Sequence, residues 1–173
     1  LRGAGRGLSV VITHPTAIFG PGDWKLNLLP LFRGATRGTL LCVPRGMRTT
    51  CDVRDVANAH IELALRGRPE RYILGGESVT IRELITRIAR VVGGRAPLLT
   101  MPHGATLALG AAMDAVADVT GRPPAFGREL AVQSTFTARL SSEKAAREVD
   151  YRSRPLDDSL RDAAAWYRAH GHL

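Results

Sequence analysis

The chain is 173 residues long, 45% hydrophobic and 23% charged, a composition that excludes a disordered segment and suits one domain or pieces of two. Its formal charge is +8, yet only Lys25 and Lys144 are lysines, the arginines are scattered singly, and aromatics make up 5%. Without a basic block interleaved with aromatic residues, nucleic acid is a disfavoured partner, and the basicity reads as solvated surface with a minor capacity for a phosphorylated ligand.

The opening "LRGAGRG" is polar and glycine-rich, unlike a signal peptide, and reads as the frayed end of a helix. Leu8 to Thr13, "LSVVIT", is a β-branched apolar run bounded by Gly7 and Pro15, which predicts a parallel-sheet strand buried on both faces. Pro15 is expected to end its ladder, and the glycines and second proline of "HPTAIFGPGD" to keep the next segment open and non-helical. Ligands of open α/β sheets lie at such carboxyl edges, so His14 to Phe19 is a candidate ligand edge. On spacing alone the same cluster is also an ordinary loop.

"TLLCVP" and "TTCDV" are shorter strand candidates separated by "RGMR". Cys42 and Cys51 lie nine apart in them; a disulfide is one option, and two buried thiols acting as small apolar residues is the expected one. "DVANAHIELALRG" predicts a helix capped by Asp55 and stopped at Gly67, and "RYILGG" another short buried strand. Strand, helix and strand alternating from Leu8 to Gly76 indicate an α/β fold.

"TIRE" is a capping box, with Thr80 at the cap and Glu83 three residues on, followed by Ile81, Leu84, Ile85, Ile88 and Val92 at helical spacing up to "GG". Further helices are expected from His103 to Thr120, from Ser142 through "SSEKAAREV", and across "PLDDSLRDAAAWYRAHG", where Leu156, Leu160, Ala163, Ala164 and Tyr167 share a face. The run from Ala105 to Val119 is too short to span a bilayer and carries Asp114 and Asp118, so a cytoplasmic protein is expected. His14, His60, His103, His170 and His172 show no metal-ligand spacing, and the last two sit in a tail expected to fray.

Four blocks in series, "HPTAIFGPGD", "RTTCDVRDVANAH", "RYILGGESVTIRELI" and "DYRSRPLDDSLRDAAAWYRAHG", resemble the carboxyl-terminal half of the extended short-chain dehydrogenase/reductases. The likeness is to the NAD-dependent epimerase/dehydratase and dihydroflavonol-reductase-like branch, including hopanoid-associated sugar epimerases. It implies the terminal strands of a Rossmann-type parallel sheet within residues 1–23, with a mostly helical substrate-binding region over 24–173, of which 48–76 returns to the sheet. It further implies that Pro15, Thr16, Ala17 and Ile18 lie beside the nicotinamide of NAD or NADP and hold it largely by backbone. Phe19, Asn27 and Arg48 fall to the substrate, Arg48 matching an arginine that contacts substrate phosphate in sugar-nucleotide epimerases. Asp52 departs from the histidine or tyrosine often found in that block.

The family's catalytic Tyr-x-x-x-Lys is absent: four residues beyond Tyr72, Tyr151 and Tyr167 stand Gly76, Pro155 and Gly171. "GAGRG" lacks the dinucleotide spacing and a preceding strand. No catalytic residue is therefore assigned, and the chain is expected to start just after them. The resulting expectation is the substrate-binding half of an NAD(P)-dependent oxidoreductase, epimerase or dehydratase acting on a sugar-like or carbonyl substrate, inactive alone. Its partners would be that small molecule and an amino-terminal half or a second copy. The alternative is a non-catalytic binding or regulatory protein of the same fold.

Overall fold

A computed structural model describes residues 7, 9–124 and 126–173, so the expected helix end before Gly7, and Leu8 of the expected first strand, lie outside the described residues. The fold is mixed α/β, with short parallel strands and a larger helical part. Strand β1 (Ile12–Pro15) is followed by β2 (Ala17–Phe19), α1 (Leu29–Arg37), β3 (Cys42–Pro44), β4 (Met47–Asp52), α2 (Val53–Arg66), β5 (Arg71–Leu74) and β6 (Ser78–Thr80). Then come α3 (Ile81–Val92), β7 (Leu99–Met101), α4 (His103–Thr120), α5 (Arg128–Ser134), α6 (Glu143–Val149) and α7 (Leu156–Ala169).

The chain divides into two compact units, one comprising residues 1–28, 49–78 and 139–173, the other residues 29–48 and 79–138. Strands β4 and β6 straddle the division.

In the first unit β1 pairs in parallel with β5, from Ile12 opposite Arg71 to Pro15 opposite Leu74. Pro15 ends this ladder as expected: it is the last rung, and the next amide, Thr16 N–H, closes the pairing by donating to Leu74 O at 3.0 Å. The strand is not buried on both faces: His14 and Pro15 are exposed, and among the described residues β5 is the only strand beside β1. After Thr16 the chain changes neighbour, and β2 runs parallel to β4 with Ala17, Ile18 and Phe19 opposite Thr50, Cys51 and Asp52. The segment expected to be open is therefore itself a strand.

The core of this unit gathers Cys51, Val56, Ala59, Leu63, Tyr72, Leu74, Ala145, Val149 and Tyr151. Helix α2 contributes the period-3.6 set Val56, Ala59 and Leu63 and packs against α6, which also contacts β5. Its cap is Asp52, not Asp55: Asp52 is extended (φ −94°, ψ 140°) and its carboxylate accepts from Arg54 N–H at 2.8 Å. Asp55, already in the first turn, pairs elsewhere. On α7, Leu156, Leu160, Ala163, Ala164 and Tyr167 are buried as their spacing requires. The tail beyond α7 is tied down rather than frayed, since His172 N–H donates to Tyr167 O at 2.8 Å and the His170 ring lies 4.3 Å from Trp166.

In the second unit α1 packs on α3, burying Phe32 and Ala35 on one side and Leu84, Ile85 and Ile88 on the other. The short parallel pair β3 and β7 joins Cys42–Pro44 to Leu99–Met101. Both cysteines are free, and only Cys51 is buried; Cys42 is exposed, against the expectation of two buried thiols. Thr80 caps α3, its hydroxyl accepting from Glu83 N–H at 3.1 Å, while the Glu83 carboxylate engages Arg87 one turn on. Replacing Thr80 by Ala is expected to cost about 1 kcal/mol, the usual worth of a side-chain cap, read as a lower urea midpoint at unchanged slope. No helix among the described residues is long and apolar enough to cross a membrane.

Candidate functional site

The first unit sets the candidate ligand edge at the point where the chain leaves β5 for β4. Pro15 is exposed, Ala17 half-buried and Ile18 37% exposed, on a backbone fixed by ladders on both sides of Thr16. Thr16 lies beside Cys51, whose thiol also approaches Ala17 O at 3.8 Å. Burial pushes that thiol up, and the Thr16 hydroxyl and backbone beside it act the other way without offsetting burial. A thiol kept protonated here is a packing group, not a nucleophile.

Phe19, which the resemblance gives to the substrate, is 2% exposed and so offers a ligand almost no surface. Gly20 follows at φ +123°, and a Cβ there would stand 2.9 Å from Val53 Cγ1 and 3.3 Å from Asp52 Oδ2. Only glycine meets both demands, which is the local reason for the first glycine of "GPGD". Asp23 then holds the loop. Its two carboxylate oxygens accept from Asn27 N–H at 3.1 Å and Leu28 N–H at 2.9 Å, and Oδ2 also accepts from Tyr167 OH at 2.6 Å. Burial pushes the Asp23 carboxyl up, but the Tyr167 hydroxyl and the loop amides together hold it below its ordinary value, while burial and the Asp23 carboxylate drive Tyr167 well up. Asn27 is exposed, with its backbone committed to Asp23 and its amide side chain at the surface.

The same unit holds an ion-pair network. The Asp52 side chain is fully buried and receives a bidentate fork from Arg54, with Nε and Nη2 each at 2.9 Å. Arg54 also reaches Asp162 at 2.7 Å, and Arg154 forks onto Asp55, with Nη2 at 2.6 Å from Oδ1 and its backbone N–H at 2.8 Å from Oδ2. Burial pushes Asp52 up, but Arg54, Ser159 and the capped amide outweigh it and bring its carboxyl down to about 2. A carboxylate this firmly ionised orders structure and does not exchange protons near neutrality.

Arg48 belongs to the second unit, where it stands in β4 rather than in a loop. It is half-buried, its Nη1 donates to Met47 O at 3.0 Å, and burial lowers its guanidinium from the ordinary arginine value. The expected site residues are thus distributed: Pro15 to Phe19 and Asn27 form one continuous edge and loop of the first unit, and Arg48 sits in the second. Sequence reasoning missed the local Asp52–Arg54 fork, and also the Asp23–Tyr167, Arg54–Asp162 and Asp55–Arg154 pairs, whose members lie up to 144 residues apart and leave no local signal. Among the described residues no cluster of histidine, cysteine and carboxylate suits a metal ion.

No protein-family model matches the chain. It is 28% identical over 182 residues to a putative dihydroflavonol 4-reductase of Synechocystis, covering all of this chain and 52% of that protein. It is 29% identical over 176 residues to the ceramide reductase of Caulobacter vibrioides, covering 95% of this chain and 53% of the relative. Among solved structures, a nucleoside-diphosphate-sugar epimerase from Pseudomonas aeruginosa superposes with a TM-score of 0.74 at 27% identity, over 99% of this chain and 52% of its own. More distant proteins share the fold, among them RMD from Pseudomonas aeruginosa, complexed with NADPH (17% identity, TM-score 0.64, 96% of this chain and 50% of its own), and DesIV from Streptomyces venezuelae, with NAD bound (22%, 0.65, 96% and 46%). The chain spans about half the length of the curated relatives it matches.

Proposed function

We propose, from this chain's homology to the NAD-dependent epimerase/dehydratase family of extended short-chain dehydrogenase/reductases, that it is the substrate-binding half of an NAD(P)-dependent oxidoreductase acting on a carbonyl or alcohol carbon. The observation that carries this reading is the strand switch at Thr16. It fixes the backbone of Pro15 to Ile18 at the carboxyl end of a parallel pair and leaves Pro15 and Ile18 accessible on either side of a small residue, Ala17. Such an edge fits a flat, weakly polar ring held mainly by backbone and apolar contact.

NAD or NADP, when bound, supplies or accepts the hydride. This chain's residues position and shield. Pro15, Thr16, Ala17 and Ile18 would line the nicotinamide edge, the Asp23–Tyr167 bond would hold the following loop, and Phe19, being buried, is left out of the substrate contacts. Asn27 and Arg48 are assigned to substrate. The chain contains no Tyr-x-x-x-Lys, so the proton that accompanies hydride transfer is assigned to a group outside it. The names of two relatives, a dihydroflavonol 4-reductase and a ceramide reductase, favour reduction of a carbonyl over sugar epimerisation.

The test is reconstitution. Alone, the chain is expected to show no tight binding of NADH or NADPH by calorimetry. Co-expressed with the nucleotide-binding half of the Synechocystis relative, it is expected to co-purify, to bind one of the two cofactors, and to transfer deuterium from 4-deuterated cofactor to a ketone. A co-purified pair that binds cofactor without any transfer would favour the non-catalytic reading instead.

A further inference from the structure

One end of the second unit gathers the last turns of α1 and α3 and the first residues of β3 and β7. Arg95 N–H donates to Ala35 O at 3.0 Å, and the Arg95 side chain lies across Gly38, where an added Cβ would stand 2.9 Å from Arg95 Cδ. Leu98 N–H and Leu99 N–H both donate to Leu41 O, at 2.9 and 3.0 Å, and the parallel register sets Cys42 opposite Leu99. These residues form an exposed apolar patch: Leu98 is 68%, Leu99 66% and Leu41 47% exposed, with Cys42 exposed beside them. Parallel strands ordinarily hide such side chains, and a contiguous apolar patch in solvent marks an interaction surface.

The charge at this end identifies the partner. Arg37 in the last turn of α1, Arg90 in the last turn of α3, and Arg95 are exposed, and none of the ion pairs among the described residues involves them. Residues 29–48 carry four arginines and residues 84–113 carry three, with no aspartate or glutamate in either segment. Of the acids in this unit, Glu83 stands in the first turn of α3, at the opposite end of that helix, and pairs with Arg87, while Asp114, Asp118 and Glu129 lie on α4 and α5. The two helix dipoles bring only about half a negative charge each to the end where Arg37 and Arg90 stand, so it stays cationic.

We infer that this end of the second unit docks on an anionic lipid surface, with Leu41, Leu98 and Leu99 entering the interface and Arg37, Arg90 and Arg95 meeting lipid phosphates. Apolar burial and attraction to anionic headgroups act together at such a surface, and arginine stems lie along apolar area while their heads reach the phosphates. Nucleic acid would engage the arginines but leave the leucines in water, and the one aromatic residue of the two segments, Phe32, is fully buried and offers no stacking face. A second copy meeting the same face would set like charges together. The inference concerns the second unit alone and stands apart from the nicotinamide reading of Pro15 to Ile18, which lie in the first.

The experiment uses the whole chain with vesicles of phosphatidylcholine, with and without phosphatidylglycerol. An environment-sensitive dye on Cys42, the exposed thiol, is expected to shift to shorter wavelength on the anionic vesicles, to return when salt is added, and to stay unchanged on the neutral ones. In co-sedimentation of the unlabelled chain, Arg37→Gln and Arg95→Gln are each expected to weaken binding to anionic vesicles about fivefold. Leu98→Ser, which removes apolar surface without changing charge at a side chain already in solvent, is expected to weaken it about tenfold and to keep the circular dichroism of the parent. Arg152→Gln, at an exposed arginine of the first unit, is expected to change it by less than about twofold. The inference is overturned by equal binding to both kinds of vesicle, by binding to neither, or by co-sedimentation without a dye shift. It is equally overturned if a DNA duplex shifts the dye as the vesicles do, or if raised protein concentration shifts it without lipid, which would assign the patch to a second copy.

Discussion

Asp52→Ala is expected to lower the unfolding free energy by about 3 kcal/mol. Two losses add. One is the side-chain cap of α2, worth about 1 kcal/mol. The other is the charged hydrogen bonds from Arg54, about 1.5–3 kcal/mol for a fully desolvated pair and less here because Arg54 remains 37% exposed. Arg54→Ala keeps the cap but leaves the fully buried Asp52 carboxylate with Arg154, 3.5 Å away, in place of its bidentate fork, and is therefore expected to cost at least as much. The same carboxylate sets an acid limit. Its folded value of about 2 lies below the ordinary 3.8, so its contribution is complete above roughly pH 4 and disappears as pH falls towards 2. Urea unfolding at pH 7 and at pH 3 checks both statements: the wild-type chain should lose stability between the two, and Asp52→Ala should lose less.

Gly46→Ala is expected to destabilise the second unit by about 1–3 kcal/mol, the range for overpacking a close contact. A Cβ there would lie 2.0 Å from Ser134 O and 3.1 Å from Phe136 O, both backbone atoms that cannot rotate away. The site is also a junction: Gly46 O accepts from Ile81 N–H at 2.9 Å, and Met47 N–H donates to Phe136 O at 2.8 Å. Gly104→Ala is the control. Nothing lies within 4 Å of a Cβ on Gly104, and it stands in helix α4, so the exchange should be neutral or stabilising by up to about 1 kcal/mol. Thermal unfolding that separated the two variants by less than their uncertainty would contradict the packing described around Gly46.

What the sequence disclosed depended on how local the physics was. Helices α3, α4, α6 and α7 were legible because each carries its own punctuation: Thr80 before and Gly93 after α3, Gly121 after α4, Pro155 before α7. Helix α1 was missed because it begins at Leu29-Pro30 without a capping side chain and contains Gly34, and α5 because seven residues are too few to show a period. The cap of α2 was placed three residues late, since Asp52 and Asp55 are equivalent in sequence and only the pairing of Asp52 with Phe19 holds the former extended. Pro15 read correctly as the end of the first strand, whereas the second strand that follows it at once, Ala17–Phe19, went unseen because its pairing is fixed by where β4 lies. The candidate edge from Pro15 to Ile18 rests on resemblance, whereas the pairs of Arg54 with Asp162 in α7 and of Asp55 with Arg154 just before α7 span about a hundred residues and had no local trace.

The central claim is that Pro15 to Ile18 meet the nicotinamide. Its most direct measurement is the set of nuclear Overhauser effects from the nicotinamide protons of NAD or NADP bound to the reconstituted pair, with methyls labelled on this chain. Contacts to the Ala17 and Ile18 methyls are predicted. Bound cofactor whose nicotinamide protons reach neither methyl would contradict the account.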